Sequence, residues 1–309
     1  MLWASIQFFG GLVILIIAGD YLVGAAVKLA NYLRVSPMVI GLTIVSLGTS
    51  FPELVVSVNA ALSGHPDISI GNVVGSNIAN LALVLGFTGL ISPLKVRRKT
   101  LLFDIPVMLL SSGLLIGFAL DYEILRWEGT LLLLLLLGYN SWIIREGKRD
   151  FEPEESHETP NKTELFRGVI VLILSLAGLI VGADLLVDGA VFIARAAGVE
   201  ERIIAVTVIA FGTSVPELAT SLIAIRKNEI GISLGNLIGS NVFNVLGIIG
   251  VTSILSPLSV NVQTLQIDFW WFILIPLILF GVVLYRQAID RITGIALVLT
   301  YLVYILMLF

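Results

Sequence analysis

The chain has 309 residues, 57% of them hydrophobic and only 13% charged, with a formal charge of −4 and a mean hydropathy of +1.02. A soluble globular protein carries about 25% charged residues, so a water-soluble enzyme fold is excluded. Zero cysteines exclude disulfides, thiolate metal sites and cysteine nucleophiles, and the only two histidines, His65 and His157, lie in polar stretches that offer no histidine metal centre.

Apolar runs of about 20 residues, enough to cross a bilayer, recur along the whole length. The ~10-residue alternation of a transmembrane barrel does not appear. The sequence therefore reads as an all-α polytopic membrane protein. Span 1 is predicted at 4–33, with no basic segment before it that would mark a cleaved leader. Span 2, at 37–62, is interrupted at Gly48–Pro52. Span 3, at 68–91, ends at Ser92-Pro93, and a basic loop follows at 95–99. Spans 4 and 5 are predicted at 101–120 and 124–144. Residues 145–164 are charged, aperiodic and hold two prolines, and read as a solvated linker. The pattern then restarts, with spans 6 to 10 near 166–196, 202–225, 231–255, 265–285 and 289–308.

The restart is an internal repeat. Gly48-Thr49-Ser50-Phe51-Pro52-Glu53 returns as Gly212-Thr213-Ser214-Val215-Pro216-Glu217, a shift of 217 − 53 = 164. At that shift Asp20 meets Asp184 and Gly71-Asn72 meets Gly235-Asn236. Likewise Gly75-Ser76-Asn77 meets Gly239-Ser240-Asn241, Asn80 meets Asn244, and Asp104 meets Asp268. Five spans per half is an odd number, so the halves enter the membrane in opposite directions. The expected architecture is ten transmembrane helices as two inverted five-helix repeats, 1–144 and 165–309, joined by the 145–164 linker, with helices broken at the midplane.

Lys and Arg set the orientation. Of the 18, all but four fall on one side, at Arg34, 95–99, 145–167, Arg226, Lys227, Arg286 and Arg291. Arg126, Arg195 and Arg202 fall on the other, and Lys28 sits near the end of span 1. The basic side is expected to be cytoplasmic in a multi-pass cell-membrane protein. That puts both termini outside and the linker inside.

The repeated stretch carries the chemistry. Pro52 cannot donate a hydrogen bond, and its ring clashes with the carbonyl at Gly48. Carbonyls around Ser46–Gly48 lose partners, and in lipid such groups persist only facing protein, water or an ion. Pro216 acts in the same way on Gly212 and the carbonyls near Ala210. Thr49 and Glu53 share a helix face, as do Thr213 and Glu217, Ser76 and Asn80, and Ser240 and Asn244. Every polar group is an oxygen or amide, which suits a hard cation such as Ca2+ or Na+ rather than zinc or copper. Two carboxylates are neutralised by one Ca2+, by two Na+ or by two protons. A structural reading, with each Glu buried and protonated, is disfavoured by the doubling, because a buried ionisable group in a span is costly. Ser76 and Ser240 could instead back-bond to their own helices. Asp20 and Asp184 are read as path-lining or structurally hydrogen-bonded, and Asp104 and Asp268 as interfacial.

At these paired segments the chain resembles the Ca2+/cation antiporter superfamily, and most of all the prokaryotic Na+/Ca2+ exchangers. The resemblance implies a secondary antiporter exchanging Ca2+ for Na+ by alternating access, not an enzyme, with long spans 1 and 6 sliding past the core. It implies cation sites lined by Thr49, Ser50, Glu53, Ser76 and Asn80, and by Thr213, Ser214, Glu217, Ser240 and Asn244, with carbonyl ligands at Ser46 and Ala210. Ca2+ and Na+ would be cargo rather than cofactors; H+ and K+ are the other candidate ions, the lipid bilayer is the partner, and no nucleic acid or obligatory protein partner is expected. In some members Asn244 is Asp, so this chain lacks one ionisable group. The alternatives are a proton-coupled Ca2+ antiporter, a passive cation channel, and an intramembrane protease using Asp20 and Asp184.

Overall fold

The computed structural model describes residues 2–149, 162–199 and 212–307. Ala210, Arg202, the first half of span 7 and most of the linker lie outside the described residues. The helices are α1 (Leu2–Leu33), α2 (Pro37–Thr49), α3 (Phe51–Leu62), α4 (Pro66–Ile91), α5 (Thr100–Asp121) and α6 (Arg126–Arg149). They continue with α7 (Lys162–Ala196), α8 (Val215–Arg226), α9 (Ile230–Leu255), α10 (Thr264–Arg286) and α11 (Arg291–Met307). Two-residue strands β1 (Leu94–Lys95), β2 (Glu123–Ile124), β3 (Leu258–Ser259) and β4 (Ala288–Ile289) lie between helices. Among the described residues seven helices are long and apolar enough to cross a bilayer, and the α2–α3 pair, bent by 44°, makes an eighth. The chain is a multi-pass helical membrane protein.

The ends of the predicted linker differ from expectation. Residues 145–149 continue α6, and α7 begins at Lys162. Charge ends a membrane span, but Arg, Glu and Lys are good helix formers, so the helix runs on past the apolar stretch.

Packing divides the chain into two units, neither of which coincides with a sequence repeat: 1–49 with 142–236, and 50–141 with 237–309. In the first unit α1 lies against α7. Close contacts pair Gly189 with Phe8, Gly11 with Leu186 and Gly178 with Ala18, so the two run antiparallel. A Cβ at Gly11 would fall 2.5 Å from the Leu186 backbone nitrogen; only glycine lets the two backbones touch there.

In the second unit α3 packs on α4, α4 on α11, and α3 on the Asn244–Ile249 turn of α9. Gly86 and Gly294 bring α4 and α11 into backbone contact, and Gly129 and Gly250 do the same for α6 and α9. The strands exchange between repeats. Leu94 and Lys95 of β1 pair with Ile289 and Ala288 of β4, while Glu123 and Ile124 of β2 pair with Ser259 and Leu258 of β3.

The backbone repeats more faithfully than the side chains do. Among the described residues six have left-handed φ: Arg34, Gly64, Tyr122, Gly198, Asn228 and Gln287. They form three pairs, Arg34 with Gly198 and Gly64 with Asn228 at the 164-residue shift, and Tyr122 with Gln287 at 287 − 122 = 165. One residue has been added between Asp268 and Gln287 relative to the stretch between Asp104 and Tyr122. The Asp104–Tyr139 and Asp268–Tyr304 hydrogen bonds, both 3.2 Å, show the same slip in their tyrosines. Asp104 is buried at 4% exposure, a correction to its interfacial placement: the Tyr139 hydroxyl satisfies it inside the protein.

Gly294→Val should lower stability by about 1–3 kcal/mol through overpacking against the Gly86 carbonyl, 2.6 Å from the added Cβ. Gly113→Val, where no atom lies within 4 Å, should stay within about 0.5 kcal/mol of the parent. Thermal unfolding in detergent compares the two.

Candidate functional site

Both proline segments fold alike. Ser50 caps α3 at φ −86°, ψ 9°, and Ser214 caps α8 at φ −88°, ψ 2°. Pro52 and Pro216 fall in the first turn of the new helices, where a missing N–H costs nothing. Each proline therefore starts a helix rather than interrupting one, and in the first copy α2 ends at Thr49 just before it. Leu54 N donates to the Ser50 carbonyl at 3.2 Å and Leu218 N to that of Ser214 at 3.1 Å. Glu53 and Glu217 stand in these first turns, where the exposed amides of the helix start favour negative charge. Both side chains are 0% exposed. Two ionisable groups so placed need a compensating partner or ion.

In the first unit the Ser46–Thr49 turn packs against α8, the helix of Glu217. The Thr49 hydroxyl donates to Asn236 Oδ1 at 3.0 Å and reaches the Ser46 carbonyl at 3.4 Å. Ser46, Thr49 and Ser214 are buried and Thr213 is half-buried. Ser214 Oγ and Asn236 Nδ2 have no hydrogen-bond partner among the described residues.

In the second unit α3, carrying Glu53, packs against α4 and the Asn244–Ile249 turn. Asn72 Nδ2 donates to the Glu53 carbonyl at 3.1 Å and to Ser57 Oγ at 3.0 Å, tying the first turn of α3 to α4. Ser50, Ser76, Asn80, Ser240 and Asn244 are all buried. Asn80 Nδ2 and Oδ1 and Asn244 Oδ1 have no partner among the described residues. Asn80 and Asn244 sit in π-helical turns, Ala79–Val84 and Asn244–Ile249, a geometry common at functional positions. Each unit thus joins a Glu of one repeat with polar residues of the other: Glu217 with Thr49, and Glu53 with Asn244. Ala210 lies outside the described residues.

Three asparagines absent from the expected ligand set are hydrogen-bonded next to it. Asn72 and Asn236 stand in the doubled Gly-Asn element and Asn77 in Gly-Ser-Asn, so the repeat itself pointed to them. Their partners could not be read from the chain, because they come from other helices.

The aspartates behave differently. Asp20 does not stand alone: its carboxylate pairs with Lys227 at 2.9 Å and with Arg226 at 3.1 Å, in the first unit. It borders a cleft of about 1020 Å3 that Lys28, Arg167 and Lys227 also line. Outside the spans, Asp290 caps α11 through Thr293 and pairs with Arg286, and these bonds hold its carboxyl down to about 2.

Buried carboxylates at helix starts, flanked by unsatisfied amide and hydroxyl groups within a multi-pass helical protein, define a membrane protein that handles small cations. The profile of the sodium/calcium exchanger protein family matches residues 3–145 and 167–309, and the chain belongs to that family. It is 42% identical to CaxA of Alkalimonas amylolytica over 83% of this chain and 82% of that one. It is 33% identical to the sodium/calcium exchanger MaX1 of Methanosarcina acetivorans over 97% and 96%. The solved sodium-calcium exchanger NCX_Mj, soaked with 10 mM Na+ and zero Ca2+, superposes with a TM-score of 0.85 at 33% identity, covering 98% of both chains.

Asn72 holds two partners, whereas Asn236 holds one, to Thr49. Asn72→Ala should therefore cost about 1–3 kcal/mol of stability by stranding buried groups, and Asn236→Ala less. Thermal melts of the two variants in one detergent test that order.

Proposed function

We propose that this protein exchanges Ca2+ for Na+ across the cell membrane by alternating access. The observation that carries the reading is the doubled helix start, each presenting a fully buried Glu beside hydroxyl and amide groups. In this reading the halves are inverted five-helix repeats, ten spans in all, and their breaks converge on one cation site at the midplane. The exchange of strands between repeats and the paired left-handed residues support a two-fold relation. The ligands are Glu53 and Glu217, with Thr49, Ser50, Thr213, Ser214, Ser76, Asn80, Ser240 and Asn244, and the carbonyls of Ser46 and Ala210.

The mechanism follows from charge. Two carboxylates at −2 bind one Ca2+ or its equivalent in Na+, and carrying that net charge through a low-dielectric interior without a cation is costly. The empty carrier therefore resists reorientation, which couples the two fluxes. No resident cofactor takes part. The cytoplasmic face is the basic one, with the linker inside and both termini outside.

Proton coupling is the second reading, because burial favours the neutral form of a carboxyl group and lets H+ compete with Ca2+; the amides at Asn80 and Asn244, which leave only two acids in the set, favour it. Proteoliposomes loaded with Na+ should take up Ca2+ with the pH gradient collapsed. Glu53→Gln and Glu217→Gln should each reduce that uptake by about 100-fold or more, the loss expected when one partner of a buried charge cluster is removed. Full activity in both variants overturns the ligand assignment, and uptake that follows only a pH gradient selects proton exchange.

A further inference from the structure

Asn244 is a neutral residue where a ligand oxygen is required, and an amide is an ambiguous ligand. Its carbonyl end attracts a cation, and its NH2 end repels one. Something must decide which end faces the ion. In the second unit Asn244 Nδ2 donates to Asn77 Oδ1 at 2.9 Å, and Asn77 Nδ2 donates in turn to the Asn241 carbonyl at 3.1 Å. The Asn77 amide is therefore fixed at both ends, and it uses up a proton of the Asn244 NH2. Asn244 Oδ1 is left buried with no hydrogen-bond partner among the described residues. A buried amide oxygen left in that condition is costly unless another ligand takes it.

The other repeat lacks this arrangement. Asn241, the counterpart of Asn77, donates its Nδ2 to the Leu237 carbonyl one turn back on its own helix, at 2.8 Å. Asn80, the counterpart of Asn244, has no hydrogen-bond partner at either amide atom among the described residues. Two asparagines equivalent in sequence thus differ in the structure: one is held with its oxygen available, and the other is not held.

We infer that Asn77 is a positioning and specificity-determining residue, which locks the Asn244 amide so that its carbonyl oxygen faces the transported cation. The inference rests on Asn244 being a ligand, as the proposed function has it. The lock gives the site an oxygen dipole that needs no deprotonation. A carboxylate at 244 would need no such lock, since both its oxygens accept.

The experiment is Na+-driven Ca2+ uptake in proteoliposomes, read as KM and maximal rate, for Asn77→Ala, Asn77→Asp, Asn244→Asp and the Asn77→Ala/Asn244→Asp double variant. Asn77→Ala should raise the Ca2+ KM about tenfold, the size of one lost charge-facing hydrogen bond, with the maximal rate within about twofold of the parent. Asn77→Asp keeps an acceptor for Asn244 Nδ2 but not the donor to Asn241, and should hold KM within about threefold. In the Asn244→Asp background, Asn77→Ala should change KM by less than about twofold, since the two effects are not additive. Asn244→Asp should also make uptake fall at acidic pH, where the new carboxyl is protonated.

An equal KM penalty for Asn77→Ala in both backgrounds overturns the inference, as does an Asn77→Asp variant as poor as Asn77→Ala, which would assign the role to the Asn241 tie. If Asn77→Ala elutes as aggregate, Asn77→Ser replaces it, the serine hydroxyl being too short to reach the Asn244 amide. A parent protein without Na+-driven uptake refutes the functional reading itself, and an unchanged KM in Asn244→Ala removes Asn244 from the ligand set; both are distinct from failure of the lock.

Discussion

A polar group in hydrocarbon has to be answered by protein, water or an ion, and this constraint explains more of the molecule than any other. The proline segments concentrate such groups where a continuous helix would have hidden them. The structure answers most of them locally: Asn72 takes the Glu53 carbonyl and Asn236 takes the Thr49 hydroxyl. Ser214, Asn80 and Asn244 are among the buried residues that keep an unsatisfied group among the described residues. The cation site proposed above draws on such groups.

How far the sequence disclosed this depended on the range of the interaction. The breaks at Pro52 and Pro216 were legible because proline acts within one turn of its own chain. Where the residues are described, the sequence pattern also placed most helices to within about five residues, since apolar length is a property of a segment alone. The form of the break was less legible. Proline was expected to disrupt a helix interior, and instead it occupies the first turn of a helix that begins after Ser50 or Ser214.

What stayed hidden was set by partners distant along the chain. Asp20 was read as path-lining or structurally hydrogen-bonded, and its partners, Arg226 and Lys227, lie more than 200 residues away along the chain. Asp104 looked interfacial because its tyrosine lies on the next helix. The added residue before Gln287 escaped notice because few residues are shared between the two halves beyond Asp104 and Asp268, while the backbone at Tyr122 and Gln287 kept the same left-handed turn. The motif asparagines were visible as a pattern, but which atom each would spend on which neighbour is a property of the packed helices.

The exchange of strands has a consequence for biosynthesis. Residues 94–95 find their partners only at 288–289, so the strand that follows α4 waits, with one edge bare, until the second repeat has been made. The opening half cannot mature as a finished module before the closing half arrives.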